Sequence, residues 1–253
     1  MAQFFTNFSE YTTGQAPADW TARWVTANVT YTVEADAGAT GGKVLRSVVT
    51  SVARHALSWD DVGTPGATEI LIKFRLSALT EAGFVNGAVL RGSGIATTEN
   101  GYMSAGQPLA AAADRLYIRE YTAGTSSDTS AQLTGTAFSI NTWYWIRFRA
   151  NGTSLESAVW ADGESEVVPI TTLTDATTSS GWAGIFTQQI ATHDYDIFSV
   201  GTNGDVAPSV APTGGKGSGG KGKGGNTPGP GEPPKKPLRT SLSKSWKWDR
   251  GWR

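Results

Sequence analysis

The chain has 253 residues, no cysteine, two histidines and a formal net charge of −1. That composition excludes disulfide scaffolds and thiolate chemistry, and with His55 and His193 far apart in sequence it leaves His/Cys zinc sites and Ser-His-Asp triads almost no raw material. The near-neutral total hides an asymmetry: residues 1–212 carry 11 Lys/Arg against 20 Asp/Glu, whereas residues 213–253 carry 10 Lys/Arg against Glu232 and Asp249. An acidic head joined to a basic tail implies two different partners, or a tail that docks on an acidic surface.

In chain order, the opening MAQFFTNFSEYTTG has neither a basic n-region nor an apolar h-region, so no secretion signal is expected. No apolar run approaches the roughly 18 residues of a membrane span, and no membrane partner is expected. From Phe4 to about Gly204, short β-prone runs alternate with Gly, Thr, Asn, Asp and Ser clusters, which predicts an all-β domain over residues 1–206. Strands are expected at Phe4–Phe8, Val29–Val33, Lys43–Val48, Glu69–Leu76, Ala88–Arg91, Gly101–Ala105, Leu116–Tyr121, Thr142–Ala150, Ser154–Ala161, Gly181–Phe186 and Tyr195–Val200. The segment Leu109–Arg115 could supply one turn of helix without altering the class.

The run Trp143–Gly163, WYWIRFRANGTSLESAVWADG, specifies a hairpin. Asn151-Gly152 is the preferred dipeptide for a two-residue turn with positive φ at both central positions, and Asp162-Gly163 signals a second tight turn. Strand alternation puts Tyr144, Ile146, Phe148 and Ala150 on a core face and Trp143, Trp145, Arg147 and Arg149 on the other. The same division recurs elsewhere: Ile70, Ile72, Phe74 and Leu76 oppose Leu71, Lys73 and Arg75, and Leu116 and Ile118 oppose Arg115, Tyr117, Arg119 and Tyr121. A face bearing Arg75, Arg91, Arg115, Tyr117, Arg119, Trp143, Trp145, Arg147, Arg149 and Trp160 suits glycans, especially anionic ones. Rings cover the apolar faces of sugars, and guanidinium forks bond hydroxyls or carboxylates. The same residues also suit a solvated or protein-contacting antiparallel face, and both readings stay open at this point.

After Gly204 the composition changes. Residues 207–237 are rich in Gly, Lys and Pro, with too little apolar surface to offset the entropy of ordering them, which predicts a flexible linker without collagen periodicity. Residues 238–253, LRTSLSKSWKWDRGWR, interleave three tryptophans with basic residues. They are expected to be a docking peptide in which Trp246, Lys247, Trp248, Arg250, Trp252 and Arg253 engage a partner. The basic tail could bind phosphates without specificity, but the acidic head argues against nucleic acid as the main partner.

The hairpin, followed by GWAGIFTQQ and HDYDIFSVGTNG, resembles the closing strands of the concanavalin A-like lectin/glucanase sandwich, a jelly roll of two antiparallel sheets also found in laminin-G-like domains. The opening FFTNFSEYTTGQAPADWTARW is similar to that fold's first strand, which in the family pairs beside the last. The GWAGIF and FSVGTNGD phrasing and the Gly/Pro tail also resemble minor tail and other virion proteins of tailed actinobacterial phages. The resemblance implies a non-enzymatic virion component exposed on the particle, held to other virion proteins by its tail and touching host-surface glycans. The alternatives are a lectin-like bacterial surface module or, third, a glycan-cleaving enzyme; homo-oligomerisation is left open. Retaining glucanases of the family carry Glu-x-Asp-x-x-Glu, whose carboxyls flank the scissile bond. The nearest approach here, Glu34-Ala35-Asp36, has Ala39 at the third position, and neither Asp194/Asp196 nor Glu164/Glu166 matches. No cofactor is required, but the family often places a last-strand Asp beside calcium, which implies Asp196 with its neighbour Asp194.

Overall fold

The computed structural model describes residues 2–24, 28–77, 85–107, 114–133, 137–188 and 190–212. The expected docking peptide and nearly all of the linker lie outside these residues, as does most of the segment expected to form a helical turn. Among the described residues the only helix is a single 3-10 turn, Asp60–Val62, and no helix is long and apolar enough to cross a membrane.

Among the described residues, fifteen strands form two antiparallel sheets packed face to face. They are β1 (Ala2–Thr6), β2 (Trp20–Ala22), β3 (Val29–Ala35), β4 (Lys43–Val49), β5 (His55–Trp59), β6 (Thr68–Leu76), β7 (Val85–Ser93), β8 (Asn100–Gln107), β9 (Arg115–Thr122), β10 (Thr125–Leu133), β11 (Tyr144–Asn151), β12 (Ser154–Ala161), β13 (Thr171–Thr174), β14 (Trp182–Gln188) and β15 (Ala191–Thr202). Sheet A runs β13-β12-β11-β6-β15-β4-β3, and β1 also pairs with β15; sheet B runs β10-β9-β8-β7-β14-β5-β2. The first strand therefore lies beside the last, Ala2 opposite Thr202 and Thr6 opposite Phe198, as the resemblance implied.

The expected faces are the observed ones. Ile70, Ile72, Phe74, Leu76, Tyr144, Ile146, Phe148 and Ala150 from sheet A pack on Leu57, Trp59, Ala88, Leu90, Leu116, Ile118 and Ile185 from sheet B. Each large side chain removed from water here contributes about 1.5–3 kcal/mol. Polar pairs stitch the sheets inside this core: the hydroxyls of Ser104 and Ser157 meet at 2.5 Å, and the Tyr195 hydroxyl donates to Asn86 Oδ1 at 2.7 Å. His55 and His193, remote in sequence, are both buried and close enough for their charges to repel.

Two details differ from the sequence reading. In the hairpin Asn151 pairs with Ser154, so the two-residue turn is Gly152-Thr153. Positive φ is needed at Gly152 alone, at 57°, the arrangement of a turn with glycine first. Strands β2, β5, β10 and β13 were not expected. β5 is buried at every position and so lacks alternation, while β10 is TSSDTSAQL, almost without apolar residues.

Candidate functional site

The structure splits the candidate glycan-binding residues between two opposite faces. Arg115, Tyr117 and Arg119 lie on β9 in sheet B, whereas Trp143, Trp145, Arg147, Arg149 and Trp160 lie on the outer side of sheet A. Arg91 belongs to neither face. It sits in β7 at a register shift, with φ 55°.

On sheet B the outer side is a layer of rings. Trp24 packs edge-on against Trp182 at 5.0 Å and tilts over Tyr121 at 5.5 Å, and Met103, Tyr117 and Phe186 complete a buried cluster. Tyr117 is buried beneath Arg119, whose guanidinium lies 5.0 Å from the ring centre, and Arg54 covers Tyr121 in the same way at 5.2 Å. Tyr117 therefore serves as packing, and Arg115 remains exposed at the strand start.

The outer side of sheet A is built of paired charges. Glu69, 1 % exposed, accepts from both Arg147 and Arg149 and from the backbone N–H of Ala207. Arg147 also forks onto Glu166, Nε to Oε1 at 2.5 Å and Nη2 to Oε2 at 3.0 Å. Burial acts to lower the Arg147 pKa, but Glu166 and Glu69 outweigh it and hold the guanidinium above its ordinary value. Held between these two carboxylates, Arg147 is a structural clamp, whereas Arg149 stays half exposed. Trp160 is buried too, stacked on Trp145 with ring centres 6.3 Å apart and packed with Leu71, Ala158 and Ala207.

What stays accessible on this side is the start of β11. Trp143 and Trp145 are both half-buried. The Lys73 ammonium lies 5.5 Å from one ring centre and 5.7 Å from the other, and the Arg75 guanidinium lies 4.7 Å from Trp143, all within cation–π range. Trp145 Nε1 donates to Asp162 Oδ1 at 2.8 Å, and Lys73 bridges Asp162 at 2.9 Å and Asp196 at 3.2 Å. Burial acts against the charged form of Lys73, yet the two carboxylates prevail and its pKa ends raised. For Asp162 burial acts upward, and the bonds from Lys73 and Trp145 bring its pKa below the ordinary carboxylate value. The result is a fixed aromatic pair rimmed by oriented charges. Beside it, a cleft of about 290 Å³ opens between Arg149, Glu156, Glu166 and the chain at Val206. Sequence reasoning missed Glu69, Asp162 and Ala207 as partners: Glu69 stands opposite Arg149 across β6 and β11, a pairing that shows only once those two strands are known to be neighbours.

The implied calcium pair does not fit its ion. Asp194 accepts from Arg46 Nε at 2.7 Å, from Arg46 Nη2 at 3.0 Å and from Arg75 Nη2 at 2.8 Å. Asp196 accepts from the Thr40 N–H and hydroxyl, both at 2.7 Å, in addition to its Lys73 contact. Calcium needs six to eight oxygens, about the number no site already crowded by three cations can release. Among the described residues no group of three or more His, Asp or Glu is placed to hold a metal. Asp36, in the segment nearest the glucanase pattern, is itself paired with Arg75.

No family model matches the sequence, and no curated protein does. Solved structures do. The exoplasmic/lumenal domain of VIP36 in a Ca2+/Man-bound form superposes with a TM-score of 0.57 at 8% identity, covering 80% of this chain and 90% of that one. The carbohydrate binding module CBM66 from Bacillus subtilis gives 0.50 at 16% identity, covering 74% and 96%. A protein of unknown function from Shewanella oneidensis MR-1 gives 0.50 at 15%, covering 78% and 84%. The fold these structures share with this chain is a sandwich of two antiparallel β-sheets. At these identities the likeness extends to architecture alone, so activity has to be argued from the side chains.

Proposed function

We propose that the protein is a noncovalent carbohydrate-binding module whose contact surface is the outer side of sheet A around Trp143, Trp145 and Arg149. The observation that carries this reading is the half-exposed tryptophan pair held by Lys73, Arg75 and Asp162. Rings fixed before a ligand arrives cover a sugar's apolar face without further loss of side-chain freedom, and the rim of charges supplies hydrogen bonds for its hydroxyls. Support comes also from the fold it shares with a carbohydrate binding module and with the Ca2+/Man-bound exoplasmic/lumenal domain of VIP36. The virion placement and tail anchoring expected from the sequence gain nothing from these likenesses, and the lectin-like reading accounts better for the surface.

Affinity electrophoresis of the full chain through gels containing mannan, xylan, levan, pectin or hyaluronan tests the reading. At least one polysaccharide should retard the protein, and Trp143→Ala with Arg149→Ala should weaken that retardation about tenfold or more, as expected when a stacking ring and a charged donor are lost together. The circular dichroism spectrum should stay unchanged. Free migration of the unmodified protein through every gel would end the proposal.

A further inference from the structure

Arg91 is a buried cation with no acidic partner among the described residues. The residue is 2 % exposed. Its Nε donates to the carbonyl of Gly66 at 3.1 Å, Nη1 to that of Thr178 at 2.9 Å and Nη2 to that of Gly152 at 2.7 Å. By contrast, Arg46, Arg75 and Arg147 on the sheet A face each meet a carboxylate. Here the titratable group acting on the charge is the Tyr102 phenol, and burial pushes the Arg91 pKa down. Arginine nonetheless keeps its proton in a protein, so the positive charge persists in a poorly solvated place.

Its backbone is held in an unusual way. A φ of 55° is left-handed for a long side chain, and it occurs at the bulge where β7 slips register against both β8 and β14. Such bulges re-aim a side chain, and a bulky residue stays there when its surroundings enforce it. The neighbouring Gly92 has no room for a side chain, because a Cβ would lie 2.5 Å from the Trp182 ring. The bulge is thus pinned by packing, and the guanidinium is delivered to a cavity of about 430 Å³ lined by Ala67, Thr153, Ala176, Thr178 and Ser179. Three of its five N–H groups are used on carbonyls, which leaves one on each terminal nitrogen.

We propose that this cavity is a second binding site, for a sugar bearing a carboxylate. A single uncompensated cation balances a monoanion, which favours a carboxylate over a doubly charged phosphate. The volume suits one monosaccharide, and the alanine and threonine residues that line the cavity beside the guanidinium give a sugar ring an apolar wall next to its carboxylate's partner. The proposal does not depend on the tryptophan pair, which lies on a different surface.

Sodium D-glucuronate, titrated into the isotopically labelled full chain and followed by amide and arginine Nε resonances, is the test. Glucuronate should shift Gly66, Gly152, Thr178 and the Arg91 Nε, while glucose and acetate bind at least about tenfold more weakly, the size expected for losing a charged hydrogen bond or the ring contacts. Because Arg91→Gln also unties three loops, the decisive variant is Ala176→Trp, which fills the cavity from an exposed position and leaves the carbonyl contacts alone. It should abolish the glucuronate shifts without changing the melting temperature. Binding that survives Ala176→Trp, equal binding of acetate or glucose, or no shift at these residues would each overturn the proposal and leave Arg91 a loop clamp. Trp143→Ala with Arg149→Ala should leave glucuronate binding intact, which separates this site from the outer-face reading.

Discussion

The two outer sides of this sandwich carry strands of the same periodicity yet are finished by different chemistry. On sheet A, alternate positions of β6, β11 and β15 hold Glu69, Lys73, Arg75, Arg147, Arg149, Asp194 and Asp196, and these bury one another as ion pairs. On sheet B the corresponding positions hold Val89, Met103, Tyr117, Tyr121 and Phe186, roofed by Trp24 and Trp182. Alternation along a strand says which side chains leave the core; it does not say what meets them outside. A row of arginines therefore has two fates, and the neighbouring strand decides between them by supplying a carboxylate or a ring.

The comparison breaks most sharply at its two keystones. Trp24→Ala and Glu69→Ala should each cost about 3–5 kcal/mol in chemical denaturation, the first by leaving a cavity and the second by leaving two guanidiniums without their shared carboxylate. They should part on rescue. Replacing Arg147 and Arg149 by Leu in the Glu69→Ala background should recover much of the loss, whereas no charge change should help Trp24→Ala.

Lowering the pH probes the space between the sheets. Burial and the nearby His55 push the His193 pKa down to about 3, and His55 is lowered by burial. The unfolded chain takes up protons near pH 6.5 while the folded one does not, so the stability present above that value is lost as pH falls from about 6.5 towards 3. Between pH 7 and 4.5 His193 alone should remove about 2–3 kcal/mol, and His193→Gln should flatten that part of the melting-temperature profile. Asp162 and Asp175, whose pKa values are lowered, add their own loss only in more acid solution. The smallest effect is expected at the exposed rim. Asp60→Asn, which loosens the 3.2 Å pair with Arg23, should cost below about 1 kcal/mol and less still in high salt.

The strands that show alternation were legible from the sequence, and so was the pairing of first strand with last. Their core residues were read correctly because a period of two separates the two faces of a strand, even where, as in β6, both faces end up buried. Strand β5 was not legible, since HALSW is buried on both sides. Nor was β10, whose polar residues hold an edge by backbone bonds to β9. The site was half legible. Trp143, Trp145 and Arg149 lie on the outer side of sheet A, as strand alternation predicted, while Arg147 and Trp160, candidates from the same alternation, are also held by Glu166 and Ala207. Those partners come from the loop after β12 and from the segment after β15, at separations no local pattern encodes. Arg91 was read as one more face residue because a bulge leaves no mark in an apolar/polar alternation.

Beyond β15 the chain turns at Asn203 and Gly204 and folds back onto sheet A. Gln3 holds the carbonyl of Val206, Glu69 holds the N–H of Ala207, and Ala207 is buried on Leu71, Ala158 and Trp160. Mechanically, this makes the domain's exit a strain relief. A pull arriving from the C-terminal side first loads the Ala207 latch. Only when that yields does the load reach β15, which is bonded along one edge to β6 and along the other to β1 and β4, so that its ladders must slide together instead of opening one bond at a time.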